Sequence, residues 1–336
     1  MFQLTFNQKV GLGFAIIISL LLVSGLSSLW NLNDINGSTS RVNETAVPVV
    51  KQSNDVQIQL LKLAKLSSLA FNASDQNQIN AYIEEFTKGT KSFDDRYLAL
   101  EALADTDDQM KSLAIGIKSN YDAYSFAVNE MFEAKTEVLT ARDNMLVEAE
   151  TLFGLADDVG ASLVEIQYFG APEDKIEEMT LITGFTESAD NINSSIFKTI
   201  DEIKITQDIE RVSDGMGDFE FSLNDSKRWF DKATDYFASF DSDGMIDISE
   251  SAYEALYAYM KVTPSIVDHK KKQLEQIIIA KVKLDEADAA VTQSISGLDE
   301  LLKSADDQFN ILQGEVSDTL AFGFKSSIVM LVILLI

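Results

Sequence analysis

IKSNYDAYSFAVNEMFEAKTEVLTARDNMLVEAETLFGLADDVGASLVEI, residues 117–166, is the stretch on which the fold turns. Ile117, Tyr124, Met131, Val138, Met145, Leu152, Val159 and Ile166 recur at every seventh position, with Leu113 and Leu155 among the interleaved partners. An apolar heptad repeat sustained that long describes one helix with one packing seam, about 64 residues with its flanks. Such a helix must run past more than one bundle.

A second series, Ile277, Leu284, Val291, Leu298 and Leu312, interleaved with Leu274, Ile295, Leu302, Phe309 and Val316, predicts another long helix from about Ile248 to the C-terminal apolar stretch. Turn chemistry marks the shorter helices between. Ser74-Asp75 offers an N-cap after a first helix of about 31–72, and Asp105-Thr106-Asp107 separates a second helix from the long third. Gly170-Ala171-Pro172-Glu173-Asp174 starts a fourth, with proline and acids in its first turn. Thr206 is placed to cap a fifth, whose core reads Ile209, Val212, Met216, Phe219, Leu223, Phe230 and Phe237. The fourth and fifth helices are each about 33 residues, roughly 50 Å, and equal lengths predict a hairpin. The expected fold is all-α: two stacked four-helix bundles built from six helices, two of them long and shared. A proximal bundle would take about 31–135 and 280–320, and a distal one about 136–279, together a sensor domain over 31–320.

Both ends read as membrane helices. Residues 10–29 contain no charge, Lys9 precedes them and Trp30 closes them, so 1–9 is expected on the cytoplasmic side and 10–30 as a first span. A cleaved signal peptide ending near Ser24-Gly25-Leu26-Ser27 is the alternative. Residues 321–336 begin a second span, with Lys325 placed to snorkel. This polarity predicts the inner membrane, with the sensor domain in the periplasm.

All 54 acidic side chains and every basic one but Lys9 lie in residues 30–325, and the whole chain carries −27. Nucleic acid is therefore excluded as a partner. No cysteine is present, which removes disulfides and thiolate metal sites, and His269 is the single histidine. Without a Glu-x-x-His pair, di-iron bundle chemistry has no ligands. No phosphate loop, nucleophile elbow or catalytic dyad is found, so neither an enzyme nor a cofactor is expected.

Three features coincide: Leu4-Thr5-Phe6-Asn7-Gln8-Lys9-Val10-Gly11-Leu12-Gly13-Phe14 before the first span, an extracytoplasmic segment of about 290 residues, and the helix count of two bundles. Together they resemble the sensory region of methyl-accepting chemotaxis proteins with a helical bimodular ligand-binding domain. In bimodular receptors for tricarboxylic-acid-cycle intermediates, two basic residues three apart on the first helix grip the ligand carboxylates. Leu61-Lys62-Leu63-Ala64-Lys65-Leu66 resembles that motif with lysine at both positions, and lysine lacks the bidentate fork of arginine. The resemblance implies a homodimer that binds a small carboxylate and signals by helix displacement.

At the level of Lys62 and Lys65, Tyr82, Phe86, Tyr121 and Tyr124 would wall the core, and Lys281 and Asp288 stand where the heptad calls for apolar residues. Such a polar break can hold a small anion, or be a buried Lys–Asp pair that sets register; two lysines snorkelling beside the core is the ordinary reading of 62 and 65. A second break, at Thr263 and Lys270 facing Lys198 with Pro264 expected to kink the helix, marks a possible distal site. Ser239-Phe240-Asp241-Ser242-Asp243-Gly244-Met245-Ile246-Asp247-Ile248-Ser249-Glu250 resembles a calcium loop with serine in its first position; a capped turn needs the same residues. The alternative function is a histidine-kinase sensor that reads a periplasmic binding protein, as trimethylamine-oxide sensor kinases do. A passive helical stalk is the third reading.

Overall fold

A computed structural model describes residues 6–169, 172–239, 241, 243–261 and 265–335. Among them every regular element is helical. In chain order these are α1 (Phe6–Arg41), a π-turn (Val42–Ala46), α2 (Val47–Phe71), α3 (Gln76–Ala104), α4 (Asp108–Tyr168), a short 3-10 turn (Glu173–Lys175), α5 (Ile176–Ile205), α6 (Ile209–Phe237), α7 (Met245–Met260) and α8 (Ile266–Leu335).

The caps explain the boundaries. Asp75 accepts from the Gln78 amide at 2.9 Å ahead of α3, Asp107 from Met110 at 2.9 Å ahead of α4, and Asp208 from Glu210 at 2.9 Å ahead of α6. Asp208 therefore does the work expected of Thr206, which instead closes the C-terminus of α5 in extended backbone. The long helix expected from Ile248 is two helices. A reciprocal box restarts it: Ser265 Oγ accepts from the Asp268 amide at 3.3 Å, and Asp268 accepts from the Ser265 amide at 2.9 Å. These hydrogen bonds hold the Asp268 carboxyl below its ordinary range. Thr263 and Pro264, like Gly170 and Ala171, lie outside the described residues.

The chain divides into two compact units. The first takes residues 1–68, 84–127 and 285–336. Its π-turn and α2 bury Ala46, Val49, Ser53, Val56, Leu60, Leu63 and Ser67, a 3-4 spacing that is one heptad seam. Gln59 Nε2 reaches the Gly89 carbonyl at 3.0 Å, Tyr97 the Ala114 carbonyl at 2.9 Å, and Gln57 the Asp299 carboxylate at 3.3 Å, which ties α2, α3, α4 and α8 around that seam. The second unit takes 69–83 and 128–284. The α5–α6 hairpin expected from equal lengths is there, and it shares a core with α4, α7 and the first part of α8.

The α2–α3 turn, which the sequence assigned to the first bundle, falls in the second unit. Gln76 Nε2 donates to the Thr136 carbonyl at 3.0 Å, Arg142 to the Ser74 carbonyl at 2.6 Å, and Ala73, Ile79 and Leu139 close a small apolar cluster there. At the N-terminus the backbone of 6–41 is helical, although side chains at 6–14, 16, 20, 24, 27, 28, 31 and 38 lie outside the described set. Among the described residues no helix is long and apolar enough to cross a membrane.

Candidate functional site

The first unit carries an aromatic layer inside its seam. Burial of every third or fourth residue on α3 and α4 turns Phe86, Phe93, Tyr121 and Tyr124 to the same interior. The rings of Phe93 and Tyr121 stack at 3.5 Å between centroids, and Phe86 meets Tyr124 at 5.9 Å. Tyr124 donates to Ser67 Oγ at 3.4 Å, whereas the buried Tyr121 hydroxyl has no hydrogen-bond partner. Burial raises both phenols above their ordinary range, and the Asp288 carboxylate raises Tyr124 further. Asp288 itself is raised from its ordinary value by partial desolvation and by Asp285. Of the residues singled out from sequence, Phe86, Tyr121 and Tyr124 thus come together, and the exposed Asp288 acts on Tyr124 through its charge.

Lys62 and Lys65 do not join them. With Leu60, Leu63 and Ser67 facing the core, position 62 lies about 100° from 63 on the helix, and both lysines are exposed on the outer side of α2. Neither makes an ion pair among the described residues. On the same outer side of α2, Val47, Ile58 and Leu61 are 51%, 52% and 50% exposed. Residues 47, 51, 54, 58, 61, 65 and 68 are spaced as a second heptad seam on that outer face. Lys281 is exposed and belongs to the second unit, as does Tyr82, which packs on the Ala73–Ile79–Leu139 cluster.

In the second unit Lys198 and Lys270 are not brought together as a pair. The Lys198 side chain is 79% exposed and meets Glu202 at 3.6 Å. Lys270 is buried, its ammonium donating to the Lys204 carbonyl at 2.8 Å, and burial lowers its pKa. A polar layer overlooked in the sequence lies elsewhere in this core. Ser226 donates to the Ala189 carbonyl at 2.7 Å and meets the Tyr253 hydroxyl at 2.7 Å, and Asn193 Nδ2 donates to the Ala156 carbonyl at 2.8 Å. The visible signal was polar residues at seam positions, Ser226 between Leu223 and Phe230 and Asn193 between Ala189 and Ile196.

The loop that resembles a calcium site is a helix cap. Asp241 accepts from the amides of Met245 at 2.9 Å and Ile246 at 3.0 Å, and Gly244 takes the left-handed conformation at φ 70°. Phe240 and Ser242 lie outside the described residues, and among those described no acidic, histidine or cysteine group could hold a metal ion.

The fold is a long-helix scaffold with polar breaks in its seams and an exposed stripe on α2. The chain belongs to the four-helix-bundle sensory modules for signal transduction of methyl-accepting chemotaxis proteins, matched over residues 3–177. That family is sensory and not catalytic. Among solved structures, the TorS sensor domain in its complex with TorT in the presence of TMAO is similar at TM-score 0.59 and 10% identity, over 77% of this chain and 99% of that one. The V. parahaemolyticus histidine kinase sensor TorS sensor domain is similar at TM-score 0.60 and 10% identity, over 76% and 99%. No curated protein matches the chain.

Proposed function

We propose that this chain is the sensing half of a bacterial transmembrane chemoreceptor, a homodimer whose sensor domain, residues 31–320, lies in the periplasm and binds a small carboxylate. The observation that carries this reading is the outer stripe of α2. Val47, Ile58 and Leu61 are the exposed apolar residues of that stripe, and Lys65 within it and Lys62 beside it make no ion pair among the described residues. A second copy laid along that seam would bury it and set four lysines close together, a place for an anion. Residues 10–29 support a membrane anchor by their lack of charge, and 321–336 the start of a second span. The two-bundle reading of the sequence goes with this proposal, and α8, helical without interruption from Ile266 to Leu335, would carry the signal.

The chain contains no cysteine, so Leu61→Cys can be oxidised in lipid nanodiscs to test the seam. Rapid disulfide dimer formation, altered by a small carboxylate in the Lys62/Lys65 background but not after both are changed to alanine, is expected. A monomeric, unlinked chain would contradict it.

A second reading, recognition of a periplasmic binding protein, is favoured by one surface of the second unit. Phe185 meets Trp229 and Tyr236 at 5.9 Å each, with Lys232 at 3.8 Å over the Trp229 ring and all three rings outside the main seam. Tryptophan, tyrosine and cations are the residue types that anchor protein partners.

A further inference from the structure

We propose that the π-turn Val42–Ala46 is a register joint, able to convert to an α-turn and so to rotate Phe6–Arg41 about its axis relative to the α2 seam. The turn is part of an unbroken helix: Arg41 on one side and Val47 on the other both have right-handed helical backbone, and the Val47 amide donates to the Val42 carbonyl, one residue further back than in an α-helix. The sequence supplies the cause. Pro48 has no amide to give the Glu44 carbonyl, and its ring would strike that carbonyl in a regular α-turn. Widening the turn by one residue moves the carbonyl aside.

The position is the second observation. Burial on this helix begins at Ala46, 2% exposed, and Val49, fully buried, and runs from there in strict heptad spacing to Ala70. Upstream, Leu32 is 61% exposed and no described residue from 32 to 45 is buried. The turn therefore divides a held segment from an unheld one. Third, a recess of about 200 Å³ lined by Ala46, Val47, Val50, Asp306 and Phe309 adjoins it, so the side chains that must shift have room. An α-turn in place of the π-turn would rotate the upstream helix by about 100° and lengthen it by about 1.5 Å, the rise of one residue. Helix shifts of that length are the usual scale of receptor and allosteric transitions. That the rotating segment enters a membrane rests on the function proposed above; the joint itself does not.

The test is a cysteine scan in the full chain, which has none of its own. Single cysteines at 32–40 and 49–60, in lipid nanodiscs, report by maleimide reactivity which side of the helix faces water. In Pro48→Ala the reactivity pattern at 32–40 should rotate by about one residue, 100°, against the native chain, with 49–60 unchanged. Deleting Glu44 in the Pro48→Ala background removes the residue that the π-turn absorbs and should return 32–40 to the native phase. An unchanged pattern in Pro48→Ala, or a double variant that stays rotated, overturns the proposal. Replacing proline by alanine inside a helix favours folding, so loss of structure does not cloud the result.

Discussion

The ammonium of Lys270, at 2% exposure, donates to the carbonyl oxygen of Lys204 at 2.8 Å, so a desolvated cation closes the last turn of α5. A cation suits a helix C-terminus, but one neutral acceptor does not replace the water that burial removes.

Burial holds Lys270 below its ordinary 10.5, so the folded chain binds this proton less tightly than the unfolded chain. The penalty is complete below the lowered folded value and is relieved as pH rises from there toward 10.5. Lys270→Met is expected to raise stability at pH 7 by on the order of 1 kcal/mol, with the gain shrinking at alkaline pH. Urea unfolding of both proteins at several pH values measures it. A loss of stability in the variant would mean that closing α5 outweighs desolvation.

The buried tyrosines are expected to part company. Tyr121 has no hydrogen-bond partner for its hydroxyl, so Tyr121→Phe should be neutral or stabilising by up to about 1 kcal/mol. Tyr253 meets Ser226 at 2.7 Å, and Tyr253→Phe should cost about 1 kcal/mol. Thermal unfolding of the two variants side by side tests the contrast.

Two glycines give opposite signs. A Cβ at Gly89 would stand 2.6 Å from Cδ2 of the fully buried Leu63 and 3.3 Å from Gln59 Nε2, so side chains packed in the seam must shift. Gly89→Ala should cost about 1–3 kcal/mol. Gly116 sits inside α4 with nothing within 4 Å of the same position, and Gly116→Ala should gain about 0.5–1 kcal/mol. Denaturant midpoints at fixed slope distinguish them.

The long helices were legible because a heptad repeat states both period and length. Ile117 to Ile166 lies wholly within α4, and Asp75 and Asp107 cap where their neighbours said they would. Pro264 predicts a kink in one long helix, and a proline alone does not distinguish a bent helix from two. Lys62 and Lys65 are singled out by a resemblance of motif, and they flank the inner seam through Leu60, Leu63 and Ser67 while a second heptad spacing runs on the outer face through Ile58, Leu61 and Lys65. Periodicity shows that seams exist; which of them is covered depends on neighbours far along the chain. The Ser226–Tyr253 contact joins helices 27 residues apart and needed the packed structure.

Because Lys62 and Lys65 are exposed, changing both to alanine should move stability by no more than about 0.5 kcal/mol while removing anion binding. The central claim is tested most directly by calorimetric titration of the full chain, in lipid nanodiscs, against small mono-, di- and tricarboxylates, native beside Lys62→Ala/Lys65→Ala. Saturable binding of one carboxylate by the native chain, absent in an equally stable double variant, is the expected result. Carboxylate binding that survives the double substitution, or a folded native dimer that binds none of them, would contradict it.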